Sequence, residues 1–176
     1  MTSFKDRIIL AAKLDVNLYE EVEADKGAMG QAMKVVVLSS IAAGVGSIGR
    51  GGFGGILIGT IAALIGWYVW AYLTYFIGTK FLPEAQTKAN IGELLRTIGF
   101  SSSPGLIRVL GIIPGLGGVV FIVASIWMLL AMVIAVRQAL DYKSTLRAVG
   151  VCVVGWVIQI IIVTLLFAIL GGPKPL

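Results

Sequence analysis

From Gln31 to Leu170 this chain is a series of apolar runs, each about as long as a bilayer is thick, separated by short charged or glycine-rich breaks. A helix needs about 20 apolar residues to cross about 30 Å of hydrocarbon, and four or five such crossings fit the length. The composition agrees: 58% of the 176 residues are hydrophobic and 13% are charged, against about 45–50% and about 25% in a soluble domain. The expected fold class is therefore all-α, a polytopic transmembrane helical bundle of about five spans, with a short broken third helix and amphipathic helices at the interface. Residues 1–30 read as a cytoplasmic, polar and amphipathic segment, and 31–170 as the transmembrane domain. Spans are expected near 31–49, 53–81, 104–118, 119–137 and 147–170, followed by a tail at 171–176.

Met1 to Gly30 is too rich in charge for a cleavable leader and is expected to persist. Phe4, Ile8, Ala11 and Ala12 fall at helical spacing, which suits a short helix on the membrane surface. Asn17 with Glu20 has capping-box spacing and predicts a helix starting near Leu18. Between spans two and three, Ile91, Leu94, Leu95 and Ile98 form an amphipathic stripe expected to lie along the membrane. Ser103 followed by Pro104 predicts the start of helix three, which Pro114, Gly115 and Gly117 then break.

Span two opens on Gly51, Gly55, Gly59 and Ala63, a small residue every four positions, which predicts close packing against another helix. Farther along it, Tyr68, Tyr72 and Tyr75 share one face, as an interfacial belt, core packing or a cavity lining. Net charge is +5, but the basic residues are scattered between apolar runs, so the sign reflects topology and no nucleic-acid partner is expected. Lysine and arginine favour cytoplasmic loops. Five crossings with the N-terminus inside place Lys5, Arg7, Lys13, Lys26, Lys34, Lys80, Lys88, Arg96, Arg108, Arg137, Lys143 and Arg147 on one side, leaving Arg50 and Lys174 on the other.

Little in the chain can do bond-making chemistry. Histidine is absent, which removes the commonest general base and metal ligand. The glycine tract Gly44 to Gly59 never ends in the Gly-Lys-Ser/Thr of a phosphate loop. Asp6, Asp15, Asp25 and Asp141 all fall outside the apolar runs, so no intramembrane aspartate pair exists, and no cluster has metal spacing. The single cysteine, Cys152, cannot form an internal disulfide. Neither enzymatic activity nor a cofactor or metal is expected.

The order of several segments resembles the Yip-one domain family of Ypt-interacting membrane proteins, and its bacterial branch in particular. They are Leu18-Tyr19-Glu20-Glu21-Val22-Glu23, the aromatic second span, Glu93 to Pro104, Ile113-Pro114-Gly115-Leu116-Gly117, and Ala135-Val136-Arg137-Gln138-Ala139 with Arg147-Ala148. The resemblance implies a five-span bundle with a cytoplasmic N-terminus, here in a bacterial plasma (inner) membrane. In eukaryotic relatives it implies association with small Rab-type GTPases. This chain has only Leu18-Tyr19 followed by glutamates where those relatives carry Asp-Leu-Tyr-Gly-Pro, a departure that counts against GTPase binding.

Two functional readings follow. One is a non-enzymatic membrane-organising or adaptor subunit, acting through the glycine ridge and cytoplasmic surfaces at Leu18 to Lys26 and Glu84 to Arg96, with a protein partner or a second copy of itself. The other is a small transporter, channel or lipid-handling subunit built on Arg108, the Pro114 break, the tyrosine face and Gln159. Arg108 is the ionisable residue inside an apolar segment, where placing a charge costs about 2.5–3.5 kcal/mol. It is expected either to contact an anionic headgroup or substrate, to pair with Glu93, or to snorkel to the interface.

Overall fold

The computed structural model describes residues 2–170, except for the side chains at 48–51, 163 and 166–170; the surroundings of Gly51 and the 171–176 tail lie outside it. Among the described residues every regular element is helical. The chain runs through α1 (Phe4–Ala12), α2 (Val16–Ala24), α3 (Met29–Gly46), α4 (Ile48–Phe76, extended by a wide turn over Ile77–Phe81), α5 (Ile91–Phe100), a 310 segment (Ser103–Ile112), α6 (Gly117–Ala139) and α7 (Thr145–Leu170). Among the described residues four stretches are long and apolar enough to cross a membrane: Lys26–Gly46, Gly52–Phe81, Gly117–Ala139 and Thr145–Ile162.

The remaining pass of the bundle is made by two short helices in series. Gly99 lies against Ala32, Gly105 against Ser39, and Gly111 against Gly46. Because the residue numbers rise together, α5 and the 310 segment run alongside α3 in the same direction. Ten α residues and ten 310 residues give about 15 Å and about 20 Å, together enough for about 30 Å of hydrocarbon. The third pass begins with α5 at Ile91, and its 310 segment starts at Ser103 with Pro104 in the first turn, where the serine–proline pair predicts a helix start. It ends in a tight turn where Leu116 N donates to the Ile113 carbonyl at 3.1 Å. Pro114 fixes the first corner of that turn and Gly115, at φ +85°, supplies the left-handed second corner of a type II turn.

This arrangement revises the expectation for α5. The apolar stripe predicts a helix on the membrane surface, yet every residue from Leu94 to Phe100 is buried, enclosed by α2, α3, α4 and α6. Its start is fixed by a reciprocal cap: Glu93 N donates to Asn90 Oδ1 at 3.0 Å, and Asn90 N donates to Glu93 Oε2 at 2.8 Å. The capping box thus falls here. At α2, Asp15 accepts from Asn17 N and Leu18 N at 2.9 and 3.3 Å, so that helix starts two residues before Leu18.

The N-terminal helices are docked rather than laid flat on a surface. Arg7 is buried and its guanidinium reaches Glu21 Oε1 at 2.7 Å, Asp25 Oδ2 at 2.8 Å and Gln31 Oε1 at 2.9 Å, tying α1 to α2 and to the start of α3. Trp127 Nε1 on α6 donates to the Ala12 carbonyl at 2.7 Å, closing the end of α1. Buried Arg96 donates to the Val22 carbonyl at 2.9 Å and also to that of Glu23, satisfying open carbonyls at the C-terminal end of α2 with a cation, the sign favoured there. The two cytoplasmic surfaces expected around Leu18 to Lys26 and Glu84 to Arg96 are consequently joined to one another through α2 and α5.

Candidate functional site

Beyond this well-packed end, the bundle opens. A cavity of about 680 Å³ lies between α3, α4, α6 and α7, with the 310 segment at its back. Its walls combine glycines and alanines with serines, three tryptophans, Arg108 and Gln159. Pockets of about 300–1,000 Å³ with a few polar groups on an apolar lining are the usual form of a small-ligand site.

Gly55, Gly59, Ala63 and Gly66 of α4 all line this cavity, so the ridge that predicts close helix packing instead faces open space. A Cβ built on Gly55, Gly59 or Gly66 meets no other atom within 4 Å. The close helix contact occurs elsewhere, on the seam between α3 and the third pass. There a Cβ on Gly99 would stand 2.7 Å from that of Ala32, and one on Gly111 would stand 2.9 Å from the Gly46 carbonyl oxygen. Gly46 itself lies so close that a Cβ would overlap the Arg108 carbonyl oxygen.

That backbone contact puts Arg108 at the Gly46 end of α3, away from the N-terminal basic residues with which the charge tally groups it. Its guanidinium lies across the Phe121 ring, 5.5 Å from the centroid, and Nη2 donates to Ser125 Oγ at 3.0 Å. Ser125 in turn donates to the Phe121 carbonyl at 2.7 Å. Arg108 Nε is buried and has no hydrogen-bond partner among the described residues. The ion pairs among the described residues are Arg7 with Glu21 and Asp25, and Arg147 with Glu84; none involves Arg108, and the cavity lining contains no carboxylate. The expected pairing with Glu93 is not formed, because Glu93 caps α5 at the other end of the third pass. A half-satisfied guanidinium in an apolar wall is costly, and an anion with acceptor oxygens would relieve it.

Of the readings open for the tyrosine face, cavity lining is the one its position does not support. Tyr68 and Tyr72 are 49% and 54% exposed on the outer face of α4, and Tyr75 is absent from the cavity wall. The tryptophans of the opposite face, Trp67 and Trp70, close the inner end of the cavity. Trp67 Nε1 donates to the Leu95 carbonyl at 2.9 Å and Trp70 Nε1 points to Met132 Sδ at 3.2 Å, which orients both rings. Gln159 of α7 lies on the wall, as a polar residue in mid-span suggests. Pro114, Gly115 and Gly117 line a second cavity of about 620 Å³ beside Gly46, Gly111 and Phe121; there they shape the turn into α6.

Charged groups outside the spans carry shifted acidities. The Arg7 hydrogen bond holds the Glu21 carboxyl below the usual carboxylate range, and it does the same for Asp25. Burial pushes the Glu23 carboxyl up to about 7, with Asp141, Glu93 and Glu20 adding to the shift. Among the described residues no group of three histidine, cysteine or carboxylate side chains is placed to hold a metal.

No curated protein and no solved structure matches this chain. A family model does: the Yip1 domain matches residues 19–167, a region that takes in the third pass, the glycine ridge, Arg108 and the tryptophans but begins after α1. That match covers most of the sequence, and with several helices apolar enough to cross a bilayer the chain is a multi-pass integral membrane protein that belongs to the Yip1 domain family.

Proposed function

We propose that this protein is a non-enzymatic, lipid-handling membrane subunit that holds a component of the bilayer in the groove between α3, α4, α6 and α7. The observation that carries the reading is the open glycine ridge. Gly55, Gly59 and Gly66 remove side chains from a wall where, among the described residues, no atom lies within 4 Å of where those side chains would begin. In lipid a ridge of small residues is useful when something approaches closely, and a component of the bilayer is the body we assign to that place.

An adaptor role at the N-terminal end is the second reading. It is favoured by the way Arg7 and Arg96 lock α1, α2, α3 and α5 into one unit, which leaves Glu20 exposed at the surface and hydrogen-bonded to Gln138 at 2.8 Å. In that reading the unit faces the cytoplasm of a bacterial cell.

Filling the ridge tests the first reading. Purified from membranes in mild detergent, the native protein is expected to carry lipid adducts in native mass spectrometry. Gly55→Leu with Gly59→Leu is expected to lose them while keeping its thermal transition. Adducts that survive the double substitution unchanged would sink the groove as the binding place.

A further inference from the structure

Resting on the groove as a lipid site, we infer that its occupant is an anionic phospholipid drawn from the leaflet opposite the N-terminus, with its phosphate on Arg108 and one acyl chain laid along the glycine ridge.

Charge selects the sign. Arg108 is a cation with no carboxylate on any wall around it, one nitrogen buried and unpartnered, and a second held by a neutral hydroxyl. A zwitterionic head would bring its own cation to the same place and cancel part of the gain.

Length selects the chain. The ridge from Gly55 to Gly66 spans eleven helical steps, or about 16 Å at about 1.5 Å per residue. Half of a hydrocarbon core of about 30 Å is about 15 Å, so the ridge is one leaflet deep. Arg108 stands at its outer end, where its carbonyl meets Gly46 at the close of α3, and Trp67 and Trp70 shut the inner end.

The polar serines Ser47 and Ser125 lie on the wall near Arg108, where they can share a phosphate.

The test uses the full chain, delipidated in detergent and titrated separately with dioleoyl phosphatidylglycerol and dioleoyl phosphatidylcholine, with bound lipid read by native mass spectrometry. The native protein is expected to prefer the anionic lipid by about tenfold, the equivalent of about 1.4 kcal/mol. Arg108→Gln is expected to keep one lipid adduct but lose the preference, Arg108→Lys to keep part of it, and Ser125→Ala to weaken it without changing any charge. A native protein that binds both lipids equally, or an Arg108→Gln variant that keeps the tenfold ratio, overturns the headgroup assignment and leaves the groove standing. Displacement of the lipid by inorganic phosphate at equal concentration overturns the lipid as the source of the anion. Absence of any adduct with either lipid defeats the groove itself.

Discussion

Replacing Gly46 and Gly55 by alanine, one at a time, separates the seam that holds the bundle from the ridge that lines its cavity. The added methyl on Gly46 would overlap the Arg108 carbonyl oxygen and stand 3.0 Å from its carbonyl carbon. The oxygen is the nearer obstacle, and clearing it even to about 3 Å, short of the about 3.5–4.0 Å of ordinary carbon contacts, parts α3 and the 310 segment by more than about 1 Å. Overpacking of this kind costs about 1–3 kcal/mol, and the upper part of that range applies because the obstacle is backbone and cannot rotate away. The methyl on Gly55 meets nothing and lies inside a helix, where alanine is favoured over glycine by about 0.5–1 kcal/mol. The two variants are therefore expected to differ by about 2–4 kcal/mol. For a chain of this size each kcal/mol moves the melting temperature by about 2–4 °C, so thermal denaturation in detergent should show Gly46→Ala lowered by several degrees and Gly55→Ala level or slightly raised. If Gly55→Ala falls with Gly46→Ala, or if Gly46→Ala is neutral, the assignment of the load-carrying contact to the α3 seam is refuted.

Arg7→Gln should free α1: its partners Glu21 and Asp25 are 35% and 27% exposed, so the loss is expected at about 1–3 kcal/mol, below the full cost of breaking a buried pair, and amide exchange should quicken over Phe4 to Ala12 while α6 stays protected. Glu23, whose carboxyl is pushed up to about 7, favours its neutral form in the folded chain. Its contribution to stability is full below the ordinary carboxylate pKa and is lost as pH rises through about 7. Glu23→Gln should therefore raise the melting temperature at pH 8 and leave it nearly unchanged at pH 5, and an equal shift at both values would contradict the burial argument.

The helical class, the four long apolar helices and the family were legible in the sequence, because long apolar runs admit few structures and the family segments follow in order. Arg108 also stood out, since a lone charge in an apolar segment is visible without neighbours. Its surroundings were not legible. The pairing with Glu93 required the third pass to fold back, whereas α5 and the 310 segment continue in one direction and put the two residues at opposite ends. The seam was missed because its small residues recur every seven positions on α3 (Ala32, Ser39, Gly46) and every six on the third pass (Gly99, Gly105, Gly111); a search for four-residue spacing finds Gly55 and Gly59 instead. The burial of α5 was hidden for a different reason. Its polar side is covered by α2 through Arg96, and an amphipathic stripe reads the same whether water, headgroups or another helix lies across from it.

The winding of Ser103–Ile112 has a bearing on aim. In a 310 helix three residues complete about one full turn, so Gly105, Arg108 and Gly111 stack in a single line along α3. Rewound as an α-helix at about 3.6 residues per turn, the same stretch would swing Arg108 about 60° off that line and shorten by about 5 Å. The tighter coil acts as a gauge that sets both the heading of the guanidinium and its depth.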